Sequence, residues 1–325
     1  MKTKEQFVIA LDLGGTKLAG ALVDHAGKIL RRMSASVDGR SAMAPVRQMV
    51  EMAADLAADS AKKAGRVKRP LQNWERIAAV GVAVPGLVRR DGTVWAPNLK
   101  GWKRMPLARR LRAELRMPVK VESDRNAAVL GESWRGAARG KSDVIVVMIG
   151  TGIGAGILSG GRLVRGAHEL SGCMGWMTVR EEHAGEANRV GQLESLAAGP
   201  GIAQAAEKEL SRGVESMLRE VPAGALNAYE VAEAARRGDM VSIEEFLEAG
   251  RWLGYGVANL VSLLDPEIVV IGGGLAKASD LYLDALIKAM RERAQPMAGK
   301  EVKVVVSRLG GDANLLGAAR VAWGS

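Results

Sequence analysis

The stretch VIALDLGGTKLAGAL, residues 8–22, reads as a buried strand, a glycine-rich turn and a returning strand. A second stretch, VIVVMIGTGIGAGIL at residues 144–158, aligns with it without a gap. The two copies share Val8/Val144, Ile9/Ile145, Gly14/Gly150, Ala19/Ala155, Gly20/Gly156 and Leu22/Leu158. Two such hairpins predict a duplicated fold in which each lobe turns one glycine loop toward a shared cleft. Coincidence between two unrelated hairpins stays open as the alternative.

Hydrophobic periodicity along the rest of the chain alternates between strand-like and helix-like segments. The predicted strands are Phe7–Leu13, Ala19–Val23, Ile77–Val84, Val119–Glu122, Asp143–Ile149, Ala155–Ser159, Ile268–Ile271 and Val302–Val306. The predicted helices cover residues 41–64, 106–116, 125–138, 193–212, 228–237, 242–264 and 278–293, with a closing helix in DANLLGAARVAW. This alternation is typical of an α/β architecture.

Length and composition favour a two-lobed globular enzyme or binding protein. A chain of 325 residues suits two packed lobes, and 48% hydrophobic with 25% charged residues excludes general disorder. The single cysteine, Cys173, excludes an internal disulfide and fits a reducing compartment. Asp12 interrupts the first apolar run, and no apolar segment reaches the ~20 residues of a spanning helix. We therefore expect a cytoplasmic protein with no membrane partner.

The formal charge of +10 raises the question of an anionic partner. The densest basic run, residues 99–120, carries Leu107, Leu111 and Leu115 four residues apart, which predicts an amphipathic helix with its basic residues in solvent. Binding to DNA through this helix is the alternative. Because no helix-turn-helix segment precedes the first strand at residue 7, we expect no nucleic-acid partner.

Three glycine-rich turns predict a nucleotide site. In the first, Gly14 and Gly15 let backbone N–H groups approach an anion, Thr16 and Lys17 add donors, and Asp12 can hold a hydrated Mg²⁺ beside phosphate.

The second turn is Gly150-Thr151-Gly152-Ile153-Gly154, and the third is Ile271-Gly272-Gly273-Gly274-Leu275. The third follows a strand and opens a helix, where a nucleotide can lie against bare backbone. Each turn alone is equally consistent with a plain tight turn. None matches the GxxxxGK[ST] or GxGxxG patterns, so the sequence favours neither a P-loop nor a Rossmann site.

Asp124, in VESDRNAAVLGE, is the candidate catalytic residue because it lies between a predicted strand and a predicted helix. As a general base it would accept a proton from a substrate hydroxyl whose oxygen attacks the γ-phosphoryl group. An aspartate that merely caps the helix N-terminus would occupy the same position.

Taken together, these motifs resemble the ROK family of bacterial sugar kinases and sugar-responsive repressors, within the actin–hexokinase–Hsp70 superfamily. The resemblance rests on DLGGTK, GVAVPG, APNLKGW, ESDRNAAVLGE, GTGIGAGI, GGRLVRGA, ANLVSLLDPEIVVIGGGL and GDANLLGAA, which run nearly end to end. It implies a two-lobed, ribonuclease H-like actin ATPase fold in which Mg·ATP and a sugar meet in an interlobe cleft. The implied lobes are residues 1–122, closed by a C-terminal helix at 311–325, and residues 123–310.

The resemblance also implies roles for individual residues. It assigns the first phosphate loop to Asp12, Gly14, Gly15, Thr16 and Lys17, the second to Gly150, Thr151 and Gly152, the adenosine loop to Gly272, Gly273 and Gly274, the catalytic aspartate to Asp124, and a sugar contact to Asn98. Repressors of the family carry a DNA-binding module ahead of the first strand, so the start of this sequence favours the enzyme branch. Members of the family commonly dimerise, which implies a homodimer.

The stretch SGCMGWMTV, residues 171–179, departs from the family pattern GEIGHM. Cys173 replaces a sugar-binding glutamate, and Trp176 replaces a histidine that contacts the sugar and a structural zinc. In the following zinc motif, CxCGxxGCLE, the cysteine positions are Gly185, Ala187 and Gln192, while the sugar-contacting glutamate survives as Glu194. With one thiol and the nearby His183, the region lacks the about four ligands of a zinc site, so we expect no zinc.

Two interpretations of Cys173 and Trp176 remain. They either line an altered sugar subsite, where Trp176 stacks on a pyranose, or they belong to unrelated core. With Asn98, Asp124 and Glu194 as polar contacts, the sequence predicts an ATP-dependent, glucokinase-like kinase that phosphorylates a hydroxyl of a hexose or hexose derivative. A non-catalytic sugar sensor or regulatory protein with a degenerate sugar site is the alternative.

Overall fold

The computed structural model describes residues 6–58, 74–181, 185, 187–222 and 224–324. The chain forms two compact units. Unit 1 consists of Met1–Gly140, Arg165–Leu170 and Gly311–Ser325, and unit 2 consists of Lys141–Val164 and Ser171–Gly310. No helix among the described residues is both long and apolar enough to cross a membrane.

The described residues form twelve strands and eleven α-helices. The strands are β1 (Phe7–Leu13), β2 (Lys17–Asp24), β3 (Ile29–Ser36), β4 (Ile77–Val84), β5 (Leu87–Val88), β6 (Val94–Trp95), β7 (Val119–Ser123), β8 (Val144–Ile149), β9 (Ile153–Ser159), β10 (Arg162–Leu163), β11 (Ile268–Gly272) and β12 (Lys303–Val306). The helices are α1 (Ala44–Ala57), α2 (Leu107–Leu115), α3 (Asp124–Arg135), α4 (Ala187–Val190), α5 (Gln192–Ala197), α6 (Gly199–Ser211), α7 (Ala228–Arg236), α8 (Met240–Leu264), α9 (Ser279–Arg293), α10 (Pro296–Glu301) and α11 (Asp312–Trp323).

The two units contain sheets with the same strand order, as the repeat in the sequence predicts. Unit 1 has the order β3-β2-β1-β4-β7, and unit 2 has β10-β9-β8-β11-β12. In each sheet the glycine-turn hairpin is antiparallel, and its first strand pairs in parallel with the next long strand. The central strands are almost wholly buried apolar runs, rich in valine and isoleucine and, in β4, also in alanine, as expected for parallel strands covered on both faces.

Helix α11 packs against unit 1 at very short range because glycines face it. A methyl group at Gly81 of β4 would lie 1.8 Å from the carbonyl oxygen of Ala318. One at Gly317 would lie 1.7 Å from the carbonyl oxygen of Ala127 in α3. Any larger residue would push the helix away from both β4 and α3. The close fit fixes the first turn of α11 beside the end of β1.

The predicted boundary after residue 122 differs from the division seen in the structure. Helix α3 belongs to unit 1 because it packs on α11, with Gly131 against the backbone of Ala313. Residues 165–170 also belong to unit 1. Arg165 forms an ion pair with the buried carboxylate of Glu122, and Arg90 pairs with Glu169 at 3.1 Å.

Other predicted bounds change where local features interrupt the pattern. The predicted helix 193–212 is two helices, α5 and α6, because Ala198 adopts an extended conformation ahead of the Gly199-Pro200 start of α6. The predicted helix 41–64 ends at Ala57, and its last positions, from residue 59 onward, lie outside the described residues. Periodicity missed β3, whose residues are mostly half-buried or exposed, and it missed the short elements β5, β6, β10, α4 and α10.

The basic helix α2 is amphipathic as predicted. Leu107 and Leu111 are buried, while Arg109 and Arg110 are exposed. Arg112 has a further structural task, since its guanidinium donates two hydrogen bonds to the carbonyl oxygen of Val119 at 2.9 and 3.1 Å. Arg112 therefore connects α2 to the start of β7.

Candidate active site

Two acidic side chains lie at the carboxyl ends of parallel strands in unit 1. Asp12 is the penultimate residue of β1, and Asp124 directly follows β7, with β4 between the two strands. The register aligns Asp12 with Ala83 of β4 and Ala83 with Glu122 of β7. Ligands of open α/β sheets bind at this edge. The structure therefore places the two predicted functional acids on the same edge.

Asp12 has an environment that disfavours its negative charge. Burial, reinforced by the carboxylate of Asp124, raises the pKa of Asp12 to about 7. The side-chain amide of Asn314, in the first turn of α11, donates a hydrogen bond to Asp12 Oδ1 at 3.3 Å and offsets part of this effect. A buried acid beside a second acid is favourable only when a proton or a cation accompanies it.

Asp124 is the first residue of α3, and its carboxylate is fixed by the local backbone. Its Oδ1 accepts a hydrogen bond from the backbone N–H of Arg125 at 2.8 Å. Burial raises the pKa of Asp124, and the contacts with Arg125 lower it part of the way. The interpretation of Asp124 as the helix N-cap is wrong, because Ser123 is the N-cap and its hydroxyl accepts from the N–H of Asn126 at 3.4 Å. Asp124 is therefore the first residue of α3 and not its N-cap.

The first glycine turn adjoins this acidic edge. The N–H of Gly14 donates to the carbonyl of Lys17 at 2.8 Å, which closes the turn, while Gly15, Thr16 and Lys17 are exposed. Asn98 belongs to the same neighbourhood, since a methyl group at Gly15 would lie 3.9 Å from its amide nitrogen. An exposed turn with a lysine and free backbone is suited to a phosphate group.

In unit 2, the second and third glycine turns meet. A methyl group at Gly150 would lie 3.8 Å from the backbone nitrogen of Gly274, which begins a short 3₁₀ helix after β11. Gly273 has a φ of +85°, and a methyl group there would lie 2.3 Å from the carbonyl oxygen of Ile149. Only glycine fits this position without strain. The turns form one surface of bare backbone.

The start of α6, which lies inside the helix predicted over residues 193–212, completes that surface. The N–H of Gly199 donates to the carbonyl of Gly150 at 2.9 Å. A methyl group at Gly199 would lie 3.5 Å from both Ala228 of α7 and Leu275. Pro200 inside a predicted helix was the signal that could have revealed this position, because proline ends a helix that precedes it and is favoured in the first turn of the next one.

Glu194 lies beside the second glycine turn. Its Oε2 accepts a hydrogen bond from the backbone N–H of Ile153 at 2.7 Å, and burial raises its pKa. A methyl group at Gly152 would lie 2.8 Å from Oε2, and one at Gly175 would lie 2.9 Å from it. The carboxylate is thus held between the turn and the segment that carries Cys173 and Trp176.

Cys173 directly precedes a short 3₁₀ helix, Met174–Trp176, in which Met174 is buried and Trp176 is the last residue. The side chain of Trp176 is 58% exposed, and Cys173 is half-buried. The interpretation of Trp176 as unrelated core is therefore wrong. No three His, Cys, Asp or Glu residues cluster as a metal site within the described ranges, and His183 lies outside them. The expected absence of zinc stays a prediction.

Two α/β units of one strand order, with acidic strand ends in unit 1 and bare glycine turns in each unit, define the two-lobed actin-like ATPase fold. A model of the ROK family matches residues 8–324. The chain therefore belongs to the ROK family.

The chain is similar to known proteins of two kinds, glucokinases and a xylose repressor. It is 33% identical over 327 residues to a glucokinase of Streptomyces coelicolor, covering 97% of this chain and 96% of that protein. It is 32% identical over 255 residues to a xylose repressor of Caldicellulosiruptor bescii, covering 77% of this chain and 64% of the repressor. A crystal structure of a ROK family glucokinase from Streptomyces griseus, in complex with glucose and AMPPNP, is similar with a TM-score of 0.80 at 30% identity, covering 98% of this chain and 100% of that one.

Proposed function

We propose that this protein is an ATP-dependent sugar kinase that phosphorylates a hydroxyl of a hexose or hexose derivative. The observation that carries the proposal is the position of Asp124, whose carboxylate lies on the same sheet edge as Asp12, while Ser123 is the N-cap of α3. The resemblance to the glucokinases of two Streptomyces species supports it.

We assign to Asp124 the role of general base. The carboxylate would accept the proton of the sugar hydroxyl as its oxygen attacks the γ-phosphoryl group. Burial raises the pKa of Asp124, which makes its carboxylate a stronger base than an exposed aspartate. The hydrogen bond from the N–H of Arg125 to Oδ1 fixes the orientation of the carboxylate.

The glycine turns are assigned to ATP. Gly15, Thr16 and Lys17 of unit 1 would bind phosphate oxygens through backbone N–H groups, a hydroxyl and an ammonium group, and Gly14, whose N–H closes the turn, would fix the shape of the loop. In unit 2, Gly150, Thr151 and Gly152 would form the second phosphate loop. The surface made by Gly272, Gly273 and Gly274 would lie against the adenosine.

The residues around Asp12 fit a hydrated Mg²⁺. The ion prefers oxygen ligands and is commonly held by one or two carboxylates with several waters retained. Asp12 supplies a carboxylate whose charge is costly without a cation, and the Oδ1 atom of Asn314 is buried with no protein partner in the described part of the chain. When bound, Mg²⁺ would neutralise charge on the triphosphate.

Sugar recognition is assigned to a small set of polar and aromatic side chains. Asn98 and Asp124 of unit 1 and Glu194 of unit 2 offer hydrogen-bonding groups to sugar hydroxyls. The exposed indole of Trp176 can stack on the apolar face of a pyranose. Cys173 replaces the family's carboxylate with a thiol, which forfeits a charge-assisted hydrogen bond of roughly 1.5–3 kcal/mol. We therefore expect the substrate to be a hexose whose hydroxyl groups are arranged differently from those of glucose, or a modified hexose.

Turnover of ATP with a panel of hexoses and hexose derivatives tests the proposal. At least one sugar should stimulate ADP release, and Asp124→Asn should reduce that turnover by roughly 10²-fold or more while leaving ATP affinity largely intact. The matched control is Asp91→Asn, which changes an exposed aspartate of the same unit. If no sugar stimulates ADP release but one raises the melting temperature, the protein is a sugar sensor instead.

The homodimer and the independence from zinc are further proposals. Light scattering on the purified protein measures the molecular mass in solution, with a dimer expected. Elemental analysis measures bound zinc, with none expected above the background of a matched buffer.

A further inference from the structure

Asn314 makes a contact that joins the last helix of the chain to the first strand. Its Nδ2 donates to Asp12 Oδ1 at 3.3 Å, across 302 residues of sequence. Its Oδ1 is buried and has no hydrogen-bond partner in the part of the chain that the structure describes. The amide is therefore half satisfied, with its free oxygen next to the acid that we assign to Mg²⁺.

An unpartnered amide oxygen in a buried position calls for an explanation, since most buried polar atoms have a partner. Asn126, on α3, shares this feature, but its Nδ2 donates to the buried carboxylate of Glu122 at 2.9 Å and not to Asp12. Ser133 also has an unpartnered hydroxyl oxygen, about two turns further along α3. Of these groups, Asn314 is the one bonded to a functional acid.

The position of Asn314 is fixed by the packing of α11. Gly317, one turn along the helix, lies against the backbone of Ala127, and Gly131 of α3 lies against the backbone of Ala313. Asp312, at the start of the helix, pairs with Arg32 of β3 at 2.5 Å. These contacts hold the first turn of α11 on both sides, so the amide is positioned before any ligand binds.

We propose that Asn314 is a positioning residue for the magnesium site. This inference rests on the proposed function. The amide nitrogen holds Asp12 Oδ1 so that the carboxylate faces the nucleotide, and the free Oδ1 accepts a hydrogen bond from a water of the hydrated ion. An amide suits both tasks because its nitrogen only donates and its oxygen only accepts. An aspartate at position 314 would instead add a third negative charge beside Asp12 and Asp124.

The test compares binding of the non-hydrolysable analogue AMPPNP to the full-length protein in excess Mg²⁺ and in EDTA, measured by calorimetry. Asn314→Ala should weaken binding of Mg·AMPPNP about tenfold, a difference of ~1.4 kcal/mol, and leave binding in EDTA unchanged. Asn314→Ser should show the same loss because its hydroxyl is too short to bridge both partners. Ser133→Ala, which removes another unpartnered oxygen, should bind as the unsubstituted protein does.

Two results would overturn the inference. One is an Asn314→Ala protein that binds Mg·AMPPNP as tightly as the unsubstituted protein. The other is an equal loss in Mg²⁺ and in EDTA, which would mean that Asn314 supports the fold and not the ion. Binding of AMPPNP is measured without any sugar, so its outcome is independent of the test of the proposed kinase activity. A protein that phosphorylates no sugar, yet shows this magnesium-specific loss, would refute the kinase and keep the role of Asn314.

Discussion

The buried carboxylate of Asp12 is expected to lower the stability of the protein at neutral pH, so that Asp12→Asn gains stability. Burial and the carboxylate of Asp124 raise the pKa of Asp12 from 3.8 to about 7. At about 1.4 kcal/mol for each unit, the shift corresponds to roughly 4 kcal/mol, or nearer 2 kcal/mol where water screens part of the interaction. Asparagine keeps the shape of the side chain and removes the charge.

The direction of the pH dependence follows from proton binding. Between pH about 4 and 7, Asp12 is protonated in the folded state and ionised in the unfolded state, so the folded state binds more protons. Its contribution to stability is therefore complete below pH 4 and is lost as the pH rises through about 7. The two proteins should have similar free energies of unfolding near pH 4, and Asp12→Asn should be more stable by roughly 2–4 kcal/mol at pH 8.

Urea unfolding followed by tryptophan fluorescence measures this difference, because five of the seven tryptophans lie in unit 1. The measurements are made without nucleotide or divalent ions, at a series of pH values from 4 to 8. The control is Asp55→Asn, which changes an exposed residue of α1 and should leave the pH profile unaltered. Equal stabilities of Asp12→Asn and the unsubstituted protein at pH 8 would refute the reasoning. A difference in the free energy of unfolding that becomes smaller as the pH rises would also refute it.

Three further substitutions test other parts of the site. Cys173→Glu combined with Trp176→His should broaden acceptance of glucose, measured as kcat/KM across a sugar panel, and unchanged specificity would place both side chains away from the sugar. Glu194→Gln keeps the acceptor for the backbone of Ile153 but removes the charge, so the KM for the sugar should rise roughly tenfold. A KM for ATP that rises equally would contradict that assignment. Gly273→Ala should cost roughly 1–3 kcal/mol of stability because its methyl group meets the backbone at position 149, whereas Gly274→Ala, with open space, should be nearly neutral in urea unfolding.

Much of the fold could be predicted because its signals are local. The strand–turn–strand pattern repeats with the same spacing, and the buried strands are continuous apolar runs, so β1, β4, β8 and β11 were recognisable from periodicity. The assignment of α3 to unit 1 was not predictable in this way. It depends on contacts between Gly131 and α11, which are distant in sequence. Periodicity describes one element at a time and carries no information about its partner.

The candidate site likewise combines residues that the sequence predicts with features that only the structure shows. Asp12, the glycine turns and Asp124 stand out because each follows a strand, and strand ends are marked in the sequence. Which residue capped α3 could not be read from SDRN, since both Ser123 and Asp124 are good N-caps, and the backbone decided in favour of serine. The raised pKa of Asp12 also depends on the pairing of β1, β4 and β7, which brings two acids to one edge.

The closing motif GDANLLGAA shows why packing and chemistry cannot be separated in this protein. Gly317 allows α11 to touch α3, and that contact brings Asn314, one turn earlier, to Asp12. A methyl group at position 317 would move the helix by more than the slack in a 3.3 Å hydrogen bond. Gly317→Ala should therefore impair the acidic edge as well as the core, although residue 317 contacts neither acid. A motif that looks purely structural in the sequence thus belongs to the site, because the short approach of the helix sets the position of the amide.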